Sequence, residues 1–165
     1  MDGRWSRLHM PAESVLIVDD EEMVLTSLST YLTLESDYEV LTFTSALAAL
    51  AHLERQEVGL IISDFLMPEM DGITFLTRAK ELWPDAPRVI LTGYADKENA
   101  IKAINQVGLY QYVEKPWDND ELRLIIRNGL EKRQLLAHLS QKATQINQAY
   151  RELQGIQEEI LKAFA

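Results

Sequence analysis

The sequence predicts a three-layer α/β fold, in which a doubly wound parallel sheet of five strands has helices on both faces. Five short apolar segments alternate along the chain with five segments of helical character, which is the pattern of repeated βα units. Most of the apolar segments lack polar alternation, as expected for strands buried on both faces. The helical segments are long enough to return the chain for parallel pairing.

The individual elements follow from apolar runs and from local helix signals. Strands are predicted at residues 14–20, 38–43, 58–64, 87–93 and 109–115. Helices are predicted at residues 21–35, 45–56, 71–83, 96–106 and from residue 116 onward. Ser45 is the expected N-cap of the second helix, Pro84 stops the third, and Asp118 with Glu121 forms a capping-box pattern for the fifth. In the first helix, apolar residues near helical spacing are Met23, Leu28, Tyr31, Leu32 and Leu34.

Composition narrows the class of protein. The 165 residues are 47% hydrophobic and 25% charged, enough for one domain of roughly 100–150 residues and a remainder. A net charge of −10 argues against indiscriminate nucleic-acid binding by the chain as a whole. Cysteine is absent, which excludes disulfides and thiolate metal sites. Residues 1–13 are expected to be a disordered lead-in without a signal-peptide core, so we expect a soluble cytoplasmic protein without membrane contact.

The C-terminal segment has a seven-residue apolar repeat. One column consists of Leu139, Ile146, Leu153 and Ile160. A second column consists of Leu135, Lys142, Ala149, Ile156 and Ala163. Together they form an a/d heptad pattern, interrupted weakly by Gly155. Two interpretations stay open, an amphipathic helix folded back on the domain and a two-stranded coiled coil, and the absence of a strong helix breaker favours the coiled coil.

Polar residues stand at the ends of four predicted strands. Asp19 and Asp20 end the first strand, Asp64 the third, Thr92 the fourth and Lys115 the fifth. Because ligands of doubly wound sheets bind at the carboxyl ends of the strands, we expect these side chains to form one site. Taken singly, each has an ordinary structural explanation, such as a helix cap for the acidic pair or a turn for Lys115 with Pro116.

The combination of these residues predicts phosphoryl chemistry. Three neighbouring carboxylates repel one another, and Mg²⁺ would compensate their charge through oxygen ligands. Asp64 would then be the nucleophile that forms an aspartyl phosphate. Thr92 and Lys115 would bind phosphoryl oxygens.

The segments "VLIVDDEE", "ISDFLMPEMDG", "VILTGYAD" and "YVEKPW" resemble the receiver domains of two-component response regulators, the CheY-like superfamily. The resemblance covers about residues 14–132. It implies a flavodoxin-like sheet of strand order 2-1-3-4-5. The expected organisation is a receiver domain at 14–132 and a coiled-coil-like helical linker at 133–165.

The resemblance also implies roles for single residues. Asp64 matches the phosphorylated aspartate. Asp20 and Asp64 match carboxylate ligands of Mg²⁺, with Asp19 acting through water and the Leu66 backbone carbonyl completing the protein ligands. Lys115 matches the family's lysine, and the bond to Pro116 is commonly cis.

A second set of implied roles concerns switching and dephosphorylation. Thr92 matches the switch hydroxyl and Tyr112 the switch aromatic, which together reshape the face of the fourth helix, fifth strand and fifth helix. Leu66 and Tyr94 flank the phosphoryl group in this family. Both are bulky here and cannot orient a water, so we expect slow self-dephosphorylation and no other enzymatic activity.

Three interpretations of the output remain open. The chain could be a receiver followed by a missing output, and its motifs resemble receivers found before HD-type cyclic-di-GMP phosphodiesterases or ATPase-type activators. It could be a stand-alone interaction module. An aspartyl-phosphate phosphohydrolase is disfavoured because position 66 is Leu instead of the Asp that acts there as general acid. Expected partners are a histidine kinase or phosphotransfer protein and a second copy bound through the C-terminal helix, whose charges do not suit DNA binding.

Overall fold

The computed structural model describes residues 13–93 and 96–164, with the side chains of residues 97 and 104 left aside, and it confirms the predicted fold. The five strands are β1 (Ser14–Val18), β2 (Glu39–Phe43), β3 (Leu60–Asp64), β4 (Arg88–Thr92) and β5 (Gln111–Glu114). All neighbours pair in parallel. The order β2-β1-β3-β4-β5 agrees with the order that the family resemblance implied.

The helices lie close to their predicted positions. They are α1 (Glu22–Glu35), α2 (Ala46–Arg55), α3 (Gly72–Leu82), α4 (Lys97–Ala103) and α5 (Asn119–Ala163). Ser45 caps α2 through a hydrogen bond donated by the Ala48 amide. Asp118 accepts hydrogen bonds from the amides of Asp120 and Glu121 at the start of α5.

Two apolar layers cover the faces of the sheet. Strands β3 and β4 are buried along their whole length. Because successive side chains of a strand point to opposite faces, alternate residues pack into opposite layers. One layer packs Leu16 and Ile90 against α2, α3 and α4. The other packs Ile17 and Leu91 against α1 and α5. This arrangement leaves the carboxyl ends of β1, β3 and β4 side by side at one edge of the sheet.

The prediction for the apolar face of α1 was wrong in part. Leu28 and Leu32 are buried as expected, but Met23 is 84% exposed and Leu34 is 78% exposed. Leu25 is buried instead. Positions 25, 28 and 32 lie on one side of a helix with 3.6 residues per turn, whereas 23 and 34 lie off that side.

The connection after α4 differs from the prediction. A π-helical segment, Ile104–Gly108, follows α4 and ends at Gly108 with φ of +68°. Gly108 suits this left-handed conformation because it has no Cβ. The buried Arg88 side chain donates hydrogen bonds to the carbonyls of Pro84, Ala86 and Gly108, and so ties this connection to the start of β4.

The chain divides into two compact units, Met1–Leu130 and Glu131–Ala165. In the first unit, the last core residue is Leu130. In the second unit, the described residues are helical through Ala163, and every side chain at 134–164 is exposed. The long C-terminal helix is therefore confirmed. The expected lead-in falls almost entirely outside the described residues.

None of the helices in the described part of the chain is both long enough and apolar enough to cross a membrane.

Candidate functional site

Three carboxylates meet at the carboxyl edge of the sheet. Asp64 is the last residue of β3, and Asp19 directly follows β1. Asp19 and Asp64 are 0% and 6% exposed, whereas Asp20 is exposed. One oxygen from each of the three lies within 4.8 Å of the others. Parallel pairing of β1 with β3 produces this grouping, because it aligns the two strands at their carboxyl ends.

Asp19 is a buried acid with unused acceptor capacity. Its Oδ1 accepts a hydrogen bond of 2.9 Å from the Glu21 amide. Its Oδ2 has no hydrogen-bond partner and lies 3.7 Å from the Lys115 ammonium. Burial, and to a smaller degree the charge of Asp64, raises the pKa of Asp19 to about 6.

The acidic pair after β1 does not cap the following helix. Glu21 is the N-cap residue of α1, and its side chain makes no capping hydrogen bond. The ordinary explanation of the pair as a helix cap therefore fails, although Asp19 does stabilise the turn before α1.

Asp64 is held by a cation and by the backbone of the loop that follows it, the Asp64 loop, which begins at Phe65. The Lys115 Nζ lies 2.9 Å from Asp64 Oδ1, which also accepts a hydrogen bond of 3.0 Å from the Phe65 amide. Burial lowers the pKa of Lys115, but the hydrogen bond to Asp64 and the charges of Asp64 and Asp19 outweigh it, so the pKa is raised overall. Lys115 therefore stays charged beside the carboxylate.

Thr92 presents an orphan hydroxyl at the end of β4. The residue is 0% exposed, and its Oγ1 has no hydrogen-bond partner. Its carbonyl accepts a hydrogen bond of 2.8 Å from the Lys115 amide, which fixes the ends of β4 and β5 together. A buried hydroxyl without a partner costs free energy, so it could donate a hydrogen bond to an acceptor oxygen that enters the site.

The peptide bond between Lys115 and Pro116 is cis, as the resemblance implied.

Tyr112 lies on the same face of the sheet as Thr92. It pairs with Ile90, two residues before Thr92, and packs half-buried against the layer that contains α4. Its side chain is thus half-buried at this end of the sheet. Leu66, two residues after Asp64, is 60% exposed. Tyr94 lies outside the described residues.

Gly72 shapes the loop that follows Asp64, and this role was not predicted from the sequence. A Cβ at this position would lie 2.1 Å from the backbone oxygen of Asp64. The Gly72 amide donates a hydrogen bond of 2.8 Å to the Phe65 carbonyl. The start of α3 can therefore approach the Asp64 loop only with a glycine at this position. The "PEMDG" segment contains this glycine, but its role depends on a close contact with the Asp64 backbone oxygen, which the spacing of residues does not reveal.

The donor set suits a hard divalent cation. Three carboxylates converge, one of them buried with a free oxygen and a raised pKa. A cation at this point would relieve both the mutual repulsion and the burial of charge.

Comparison with known proteins identifies the fold family. A family model described as the response regulator receiver domain matches residues 15–127. The chain belongs to this family. Receiver domains are signalling domains of two-component systems. In this chain, the acidic cluster lies at the carboxyl ends of β1 and β3.

Individual relatives agree with this assignment. The hydrogenase transcriptional regulatory protein HoxA of Cupriavidus necator is 41% identical over 118 residues, which are 72% of this chain and 24% of HoxA. The response regulator Rre1 of Synechocystis is 32% identical over 149 residues, or 89% of this chain and 64% of Rre1. The crystal structure of the signal receiver domain of an HD domain-containing protein from Pseudomonas fluorescens has a TM-score of 0.70 and 37% identity, covering 74% of this chain and 98% of that one. The chain thus spans about a quarter of HoxA and less than two thirds of Rre1.

Proposed function

We propose that this receiver accepts a phosphoryl group on Asp64 from the phosphohistidine of a sensor kinase or phosphotransfer protein. The observation that carries the proposal is the buried Asp64 carboxylate at the end of β3, paired with Lys115 and grouped with Asp19 and Asp20. A carboxylate in this setting is accessible to an anionic donor only if nearby cations offset its charge.

The transfer step is a nucleophilic displacement at phosphorus. An Asp64 oxygen forms a bond to phosphorus while the bond from phosphorus to the imidazole nitrogen breaks, and the leaving imidazole takes up a proton. Lys115 pairs with one phosphoryl oxygen, and the free hydroxyl of Thr92 donates to another. The orphan state of Thr92 Oγ1 supports this role.

Mg²⁺ is the proposed cofactor. Asp19, Asp20 and Asp64 would hold it, with Asp19 acting through water and the carbonyl of Leu66 as a further ligand. When bound, Mg²⁺ supplies positive charge that lets the acidic site receive an anionic phosphoryl group. The unpartnered Asp19 oxygen supports this assignment.

Thr92 and Tyr112 are the proposed switch. Movement of Thr92 toward the phosphoryl group would change the space on its face of the sheet, and Tyr112 lies on that face beside the α4 layer. The two-state equilibrium of the α4–β5–α5 surface would then be biased by one covalent charge change.

The output is proposed at the level of class. The resemblance to HoxA supports a transcriptional-regulator context, and the resemblance to the Pseudomonas receiver supports an HD-domain context. A stand-alone receiver that binds a partner protein is the second candidate. In each case we propose that the protein is cytoplasmic and forms a homodimer through the C-terminal helix. We also propose that this chain does not bind nucleic acid directly. The phosphohydrolase alternative finds no support, because Leu66 occupies the position of the general acid.

Slow loss of the phosphoryl group is a further part of the proposal. The exposed Leu66 side chain, two residues after Asp64, has no acid or amide to orient an attacking water. The half-life of the phosphoprotein should therefore exceed seconds, which phosphate release after removal of the donor would measure. A half-life of seconds would contradict this point.

The receiver proposal is tested by incubation with acetyl phosphate and Mg²⁺, followed by intact-mass measurement. The wild-type chain should gain one phosphoryl group only when Mg²⁺ is present. The Asp64→Asn variant should gain none. Equal gain in both proteins, or no gain in either, would overturn the proposal.

A further inference from the structure

The second unit presents an apolar stripe that is wider than one heptad seam needs. Within its helix, a central column consists of Leu139, Ile146, Leu153 and Ile160. The first flank consists of Leu135, Lys142, Ala149, Ile156 and Ala163. The second flank consists of Leu136, Ala143, Tyr150, Gln157 and Phe164. Each flank is spaced three and four residues from the central column, so each forms a complete a/d pattern with it.

The charged residues distinguish the two possible seams. If the first flank joins the central column, Lys142 lies in the seam, and in a symmetric parallel pair it faces its own copy. Like charges held together away from water are costly. If the second flank joins the central column, Lys142 lies beside the seam, where its stem can cover apolar surface and its ammonium can reach water.

The remaining charges of the helix also fit the second seam. With the second flank at a and the central column at d, Arg151 and Glu158 fall at b, and Glu152 and Glu159 fall at c. All four positions face solvent. In the first seam, Glu152 and Glu159 fall at g instead, beside Gln157 and Phe164 of a parallel partner. Those neighbours offer them no opposite charge.

Gln157 sets the direction of the pair. Apart from the phenol hydroxyl of Tyr150, its amide is the one polar side-chain group at a in the second seam from residue 136 to 164. In a parallel pair Gln157 faces its own copy, and the two amides can hydrogen-bond to each other. In an antiparallel pair a positions face d positions, and every d residue of this seam is aliphatic. The amide would then be buried without a partner, which costs free energy.

The exposed area is sufficient for a stable pair. The large apolar side chains of the second seam are 52–89% exposed, from Leu136 and Ile160 at the low end to Phe164 at the high end. Each offers on the order of 100 Å², so the seven of them approach the ~800 Å² per partner of a standard interface. The helix continues without interruption through Gly155, where a Cβ would meet nothing within 4 Å.

We infer that the C-terminal helix binds a second copy of this chain in parallel and in register, through the central column and the second flank. This inference rests on the homodimer of the proposed function and specifies its seam. Lys142, Ala149 and Ile156 then line the side of the seam. Gln157 pairs with Gln157 of the second copy and selects the parallel, in-register arrangement.

Two matched cysteine variants of the full-length chain test the seam. Because the chain has no cysteine, each variant carries a single thiol. Ala143→Cys places it in the proposed seam, and Ala149→Cys places it at the side. Disulfides form readily only when the two Cα atoms lie within about 7 Å. Under mild copper-catalysed oxidation, the Ala143→Cys dimer should form about tenfold faster than the Ala149→Cys dimer, measured on non-reducing gels.

The mass of the unmodified chain, measured by light scattering, separates the possible failures. A dimer in which Ala149→Cys links faster overturns the seam but leaves the homodimer intact. A dimer in which neither variant links overturns the parallel arrangement. A monomer at micromolar concentrations overturns both the seam and the homodimer, whereas phosphorylation of Asp64 is tested separately by intact mass.

Discussion

At the scale of single residues, the proposed phosphorylation of Asp64 depends on Lys115 and Thr92. The Lys115 ammonium lies 2.9 Å from Asp64 and keeps its proton. Thr92 holds a buried hydroxyl without a partner. In the proposed reaction both side chains would bind a phosphoryl group on Asp64, Lys115 through its charge and Thr92 as a hydrogen-bond donor.

Removal of the Lys115 charge should slow phosphorylation. A hydrogen bond to a charged group is worth about 1.5–3 kcal/mol, so Lys115→Met should lower the rate with acetyl phosphate roughly 10- to 100-fold. The exposed Lys80 on α3 offers a matched control, and Lys80→Met should keep the wild-type rate. Equal rates for both variants would exclude Lys115 from the reaction.

The buried Asp19 should make the metal-free protein less stable as pH rises. Its pKa is 3.8 in an ordinary setting and about 6 here. Between these values the native state holds a proton that the unfolded chain has lost, so the free energy of unfolding falls as pH rises through this window. The loss is complete above about pH 6 and is on the order of 2–3 kcal/mol.

Asp19→Asn removes this titration. In EDTA, the free energy of unfolding of the variant minus that of the wild type should grow from pH 4 to pH 7, as measured by urea denaturation. Mg²⁺ at pH 7.5 should then stabilise the wild type more than the variant. If the difference in free energy of unfolding between variant and wild type did not change across this pH range, the raised pKa of the buried Asp19 carboxyl would be contradicted.

At the scale of elements, the position of α3 depends on a contact that only glycine permits. A Cβ at position 72 would overlap the Asp64 backbone oxygen at 2.1 Å, whereas a Cβ at position 155 would meet nothing within 4 Å. Gly72→Ala should therefore lower the free energy of unfolding by about 1–3 kcal/mol and slow phosphorylation, because the Asp64 loop must shift. Gly155→Ala should increase helix content, because alanine favours a helix by up to about 1 kcal/mol.

Urea denaturation and circular dichroism of the two alanine variants check this contrast. If Gly72→Ala were as stable and as reactive as the wild type, the close packing of α3 on the Asp64 loop would be refuted.

Sequence patterns predicted the elements well because the central strands are apolar on both faces and the helix caps are explicit. Ser45 and Asp118 cap the helices that their positions indicated. The prediction failed for the apolar face of α1, where Leu25 is buried and Met23 is exposed. Hydrophobicity alone does not tell which of several apolar residues on a short helix faces the sheet.

Features that depend on distant contacts could not be read from local sequence. The π-helical segment after α4 is held by Arg88, which lies sixteen residues before its first residue. The half-buried position of Tyr112 depends on its packing against the α4 layer. The acidic cluster, in contrast, was predictable, because parallel strands bring their carboxyl ends to one edge.

At the scale of the whole molecule, the receiver unit should be independent of the C-terminal segment. The last core residue is Leu130, and all side chains at 134–164 are exposed. A chain that ends at residue 132 should therefore keep the urea midpoint and the phosphorylation rate of the full chain within about twofold, since few buried contacts are lost. Its mass in solution should be that of a monomer. Loss of folding or of phosphorylation on this truncation would refute the proposed domain boundary.

Chemical mapping of the phosphorylated residue would show directly whether Asp64 is the phosphoryl acceptor. After reaction with acetyl phosphate and Mg²⁺, borohydride reduces the acyl phosphate to an alcohol and leaves free carboxylates intact, so a phosphorylated aspartate becomes homoserine. We expect homoserine at position 64 in peptide sequencing by mass spectrometry, and none in protein treated without Mg²⁺. Homoserine at Asp19, Asp20 or Asp71 instead, or at no position, would contradict this expectation.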